Sequence, residues 1–90
     1  MKSVRSKLEG IDDALSKWNK DKASANTHHE FINVELKKVL ADDEFPEHLK
    51  IKLKELPWHI DSMLGIDDGN GKSFEEHLVW AYGVLMAARI

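Results

Sequence analysis

Five histidines, His28, His29, His48, His59 and His77, are the residues of this chain best suited to chemistry near neutral pH. Glu44 and His48 are four residues apart, as are Glu55 and His59. On a helix that spacing puts a carboxylate and an imidazole on one face, a start for metal ligation or for an oriented general base. Di-iron bundles use a tighter scheme, with Glu-x-x-His on two helices and an inward Glu on two more. Neither Glu-x-x-His nor His-x-x-x-His occurs here, and Pro57 interrupts the Glu55/His59 pair. The chain has no cysteine, which excludes thiolate nucleophiles, thiolate metal sites and disulfides. Serine, histidine and aspartate are present, but nothing resembles a strained nucleophile turn. No catalytic residue, metal ligand or cofactor is therefore expected. The histidines read as surface residues near helix ends, with His59 or His77 half-buried and hydrogen-bonded.

A second constellation is Asp67-Asp68-Gly69-Asn70-Gly71-Lys72-Ser73-Phe74-Glu75-Glu76. Over these ten residues the chain is similar to the calcium loop of an EF-hand, and it lies between two predicted helices. With Asn70 and Gly71 as fifth and sixth loop positions, however, the first is Ile66, the eighth is Ser73 and the twelfth is His77. Ile66 cannot ligate, and the bidentate glutamate is missing. A Gly/Asn turn followed by a capping box, Ser73 to Glu76, accounts for every residue.

Charge points to protein partners. The net charge is −3 over ninety residues. Lysines and arginines cluster at Lys2, Arg5, Lys7, Lys17, Lys20 and Lys22 and again at Lys50, Lys52 and Lys54, but acids are interleaved in both places. The shortest inter-helix link, Asp42-Asp43-Glu44, would repel phosphates, so nucleic acid is a weak third reading. Asp42, Asp43, Glu44 and Glu47 form one acidic block; Asp67, Asp68, Glu75 and Glu76 form another. Such blocks suit docking to a basic protein surface, and they also suit helix N-termini, where acids are favourable. Among the aromatics, Trp18 reads as core. Trp80 and Tyr82 flank the main stripe of the last helix and are candidates for partner contact, together with Asp42, Asp43, Glu44 and Glu47.

Four amphipathic segments must position these groups. Val4, Leu8, Ile11, Leu15 and Trp18 share a helical stripe beginning near Ser3, and Asn19–Asn26 reads as a loop. A capping box at Thr27–Glu30 opens a second helix with Ile32, Leu36, Val39 and Leu40 inward. Pro46 opens a third, whose stripe Leu49, Leu53, Leu56, Ile60, Met63 keeps phase through Pro57; a kinked continuous helix is expected, with Gly65 as its C-cap. The fourth carries eleven uncharged residues from Leu78 to Ala88. Phe74, Leu78, Ala81, Leu85 and Ala88 make its core stripe. Val79, Trp80, Tyr82, Val84, Met86 and Ile90 fill most of the remaining circumference.

These features predict one all-α domain over residues 1–90, a small antiparallel bundle of four helices, the third kinked or split at Pro57 and the last central. No run reaches the about 20 apolar residues of a membrane span. No signal peptide is evident, so a cytoplasmic protein with no membrane partner is expected. The functional expectation is a non-catalytic protein-interaction module: a small acidic inhibitor or neutraliser that masks a basic partner surface. Immunity proteins, antitoxins and phage anti-defence factors share that size and charge, which is the whole of the analogy. The alternative is a self-associating structural or regulatory protein, a homodimer through the C-terminal helix.

Overall fold

The structure, a computed structural model, describes residues 4–66 and 69–88, without the side chains of Val4, Arg5 and Gly69. The expectations resting on Ser3, Asp67, Asp68, Ile90 and the side chain of Val4 lie outside those residues. The described residues form an all-α bundle without strands. Its helices are α1 (Val4–Lys20), α2 (Ala25–Leu40), α3 (Glu47–Leu53), α4 (Leu56–Leu64) and α5 (Phe74–Ala87).

The stripe of α1 is buried as its spacing predicts. Leu8, Ile11, Leu15 and Trp18 are fully covered, with Ala14 beside them. They meet Ile32, Leu36 and Val39 of α2. Lys7 pairs with Asp42 at the far end of α2, while the Trp18 ring meets His29 near its start. These contacts make α1 and α2 antiparallel. Ser16 to Tyr82 and Trp18 to Phe74 set α5 antiparallel to α1 in the same way. Lys52 to Ala87 and His59 to His77 run α3 and α4 antiparallel to α5.

Two local expectations are corrected. The stretch from Asn19 to Asn26 is not an open loop. α1 continues to Lys20, a 3₁₀ turn spans Lys22–Ser24, and α2 begins at Ala25 with Ser24 as N-cap. Thr27 is therefore inside the helix and caps nothing. The earlier start packs Ala25 against the core and carries His29 within 2.6 Å of Asp61 on α4. Those contacts outweigh a cap, whose loss costs about 1 kcal/mol.

The third predicted helix is split, not kinked and continuous. α3 ends at Leu53, Lys54 and Glu55 form a turn, and α4 resumes at Leu56 with Pro57 in its first turn. The break lies upstream of the proline because proline acts on the residue four positions before it. In a continuous helix its ring would collide with the Leu53 carbonyl, and it has no N–H to give that carbonyl. The hydrophobic phase survives: Leu49, Leu53, Leu56, Ile60 and Met63 are all buried. Gly65 terminates α4 at φ 93°, with its N–H bonded to the Asp61 and Ser62 carbonyls. Ser73 caps α5, its hydroxyl accepting from the Glu76 N–H at 3.2 Å.

α5 packs most closely on α4 and also touches α1 and α3. Phe74, Leu78, Ala81, Leu85 and Ala88 face the core as the spacing requires. The opposite face remains open, with Val79 65% and Met86 63% exposed.

Candidate functional site

Two polar residues are sealed at the seam of α4 and α5. His77 is fully buried and His59 nearly so. Their Nδ1 atoms lie 3.0 Å apart. A neutral imidazole carries one N–H, so one ring must donate from Nδ1 while the other accepts there. The two histidines thus hold opposite tautomers toward each other. A single added proton is compatible with that bond; two would set N–H against N–H. Burial first, and the neighbouring imidazole second, hold His59 below the ordinary imidazole range, with Glu55 acting in the opposite sense.

Trp58 and Trp80 close the pair from outside. Their ring centroids lie 5.0 Å and 5.1 Å from that of His77, both in edge-on geometry. Each indole still shows about two-fifths of its surface to solvent, 41% for Trp58 and 40% for Trp80. They mark an open groove of about 1010 Å³. Ile51, Lys52 and Glu55 line it from the α3–α4 side, and Val79, Gly83, Val84 and Ala87 from α5. Lys72 stands at its edge. Trp58 stands off the core stripe of α3 and α4, and α5 has more apolar residues than one core face can hold.

A second depression, of about 450 Å³, lies where α5 meets α1. Tyr82 and Met86 line it with Glu9, Asp12, Asp13 and Ser16. The Tyr82 hydroxyl shares a 2.8 Å hydrogen bond with Ser16, which fixes the ring, and Asp13 also pairs with Lys17. Here an aromatic residue meets three carboxylates on one surface.

The residues singled out from sequence are thus distributed over three places. Trp80 is in the groove, and Tyr82 is in the α1–α5 depression. Asp42, Asp43, Glu44 and Glu47 surround the α2–α3 turn and line neither. Part of that acidic block maintains the fold. The Asp42 carboxylate pairs with Lys7 and accepts the Glu44 N–H at 2.9 Å. The Lys7 ammonium, first, and that N–H hold its carboxyl below the usual carboxylate range. Glu47 pairs with the nearly buried Lys50 at 3.3 Å. Asp43 and Glu44 are exposed.

Sequence reasoning missed two associations. One is the His59–His77 pair with its two tryptophans. The adjacency of Trp58 to His59, and of His77 to Trp80 one helical turn later, was the available signal. The other is Tyr82 with Glu9, Asp12 and Asp13, the acids interleaved with the N-terminal lysines.

His29 has an architectural role. Asn33 donates to its Nδ1 at 3.3 Å, so its Nε2–H points to Asp61 at 2.6 Å. Both ring nitrogens are engaged, and the contact ties α2 to α4. Among the described residues, no three His, Asp or Glu side chains are grouped to hold a metal ion. Of the calcium-loop residues, Asp67 and Asp68 lie outside the described residues. Asn70 and Gly71 form the turn at φ 60° and 77°, and Ser73 caps. No helix among the described residues is long and apolar enough to cross a membrane.

The fold and its surface depressions, among them a third of about 440 Å³ lined by Lys7, Glu35, Lys38 and Asp42, define a small all-α bundle with open surface sites. No protein-family model matches the chain, and neither a curated protein nor a solved structure matches it.

Proposed function

We propose that this chain is a non-catalytic protein-interaction module, an acidic inhibitor or neutraliser that masks a basic surface on a protein partner. The observation that carries the reading is the α1–α5 depression, where Glu9, Asp12 and Asp13 surround Tyr82 and Met86. Tyrosine supplies rigid contact area with a polar tip, and its hydrogen bond to Ser16 fixes the ring before any partner arrives. The carboxylates steer a cationic partner and set the register of docking. Exposed Asp43 and Glu44 add a separate acidic surface at the α2–α3 turn, while Asp42 and Glu47, like Asp13 with Lys17, pair with lysines of the chain itself. The absence of cysteine suits a reducing compartment such as the cytoplasm.

The test is affinity capture from the source cell with two baits, the wild-type chain and a Glu9→Lys/Asp12→Lys/Asp13→Lys variant. The expected result is a cationic protein retained by the wild type, released by salt, and lost by the variant. Equal retention by both baits defeats the assignment of this surface.

A further inference from the structure

We propose that the Trp58/Trp80 groove is an interface between two copies of this chain, packed as a two-fold pair with one α5 crossing the other. Three observations lead there. The first is Gly83. It lies in the middle of α5 and lines the groove, and a Cβ added to it would meet nothing within 4 Å. Glycine weakens a helix interior relative to alanine, and nothing inside the protomer requires it there. Val79, Gly83 and Ala87 recur every four residues along this face, leaving a shallow track that a second helix backbone can approach closely.

The second observation is the apolar surface beside that track. Ile51 of α3 is 62% exposed and Val79 of α5 65%, and both line the groove with Trp58 and Trp80. A wall residue of one copy can enter the groove of the other while the reverse occurs by symmetry. That reciprocity is what an isologous interface requires.

The third is charge, which selects the occupant. Lys52 and Lys72 line the groove together with Glu55. A uniformly basic or uniformly acidic partner would meet like charge somewhere along it. A second copy presents the same mixed set reversed, so that Glu55 of each protomer meets the lysines of the other. Met86, seven residues from Val79, shares the exposed face of α5, whereas Tyr82 and the α1 carboxylates Glu9, Asp12 and Asp13 do not line the groove.

Sedimentation velocity of the full chain from low micromolar to sub-millimolar concentration tests the proposal. The wild type is expected to reach twice the 10.3 kDa mass of the chain. Gly83→Gln, whose side chain has open space in the protomer, should fold with undiminished helicity and weaken association about tenfold or more. Glu55→Lys should weaken it as well, and Glu55→Lys/Lys72→Glu should restore it. Lys38→Gln, on α2 and outside the groove, should leave it unchanged. A wild type that stays monomeric throughout overturns the proposal. So does a Gly83→Gln dimer as tight as the wild type, or a Lys38→Gln variant that alone dissociates.

Discussion

The buried imidazole pair makes stability depend on pH in a direction that can be worked out in advance. His59 is held below the ordinary imidazole value by burial and by His77. In the unfolded chain it titrates near about 6.5. Between those two values the unfolded state binds more protons than the folded one. The contribution of the pair is therefore fully present above about pH 6.5 and is lost as pH falls toward the folded-state value. One extra proton taken up on unfolding gives a slope of at most about 1.4 kcal/mol per pH unit. The pair is isolated by difference. His59→Leu, His77→Leu and the double variant provide that. In either single variant the remaining Nδ1 loses its 3.0 Å partner in a dry seam, which should cost about 1–3 kcal/mol near pH 8. The double variant replaces both polar rings with apolar ones of similar bulk. It should therefore be more stable than the two single losses summed, by about 1 kcal/mol. Urea unfolding of all four proteins near pH 8 and near pH 5 reads both effects. In Tm, each kcal/mol corresponds to about 4–8 °C for a domain of this size. If the wild type and the double variant lose stability in parallel between the two pH values, the account of the buried pair is wrong.

Two further outcomes follow from the same structure. Leu85→Ala opens a fully buried site on α5 and should cost about 2–5 kcal/mol, whereas Val79→Ala on the exposed face should stay within about 0.5 kcal/mol; urea unfolding compares them directly. Asp42→Asn removes the Lys7 pair, and because the folded-state pKa of Asp42 is depressed, its contribution is present above the usual carboxylate range and lost as pH falls through the folded-state value. Thermal melts should separate wild type and Asp42→Asn at neutral pH and converge once the pH has fallen below the depressed folded-state value.

The helical stripes were legible because burial repeats with the helix period. Leu8, Ile11, Leu15 and Trp18, and Phe74, Leu78, Ala81 and Leu85, stand inside for the reason their spacing gives. The break at Leu53 was harder to place. Hydrophobic phase continued smoothly past Pro57, and only the backbone clash four residues upstream decided where the helix stops. The start of α2 was misplaced for a related reason. Thr27 to Glu30 has the residue types of a cap, while packing of Ala25 and the reach of His29 to Asp61 are set by other helices. Phe45, buried in the turn ahead of α3, belonged to no periodic stripe and so carried no signal. The sites were the least legible part. Tyr82 and Glu9 are seventy-three residues apart in the chain. Only the antiparallel packing of α1 on α5 makes them neighbours.

The placement of the three tryptophans has an optical consequence. Trp18 is sealed in the core, while Trp58 and Trp80 stand half-open beside the two imidazoles. The intrinsic emission therefore combines one shielded indole with two that face the groove. A soluble quencher reaches only the latter pair, and whatever covers the groove shields both together. The molecule needs no attached dye to register occupancy of that surface. The spectrum of the unmodified chain distinguishes an empty groove from a filled one while leaving the acidic surface undisturbed.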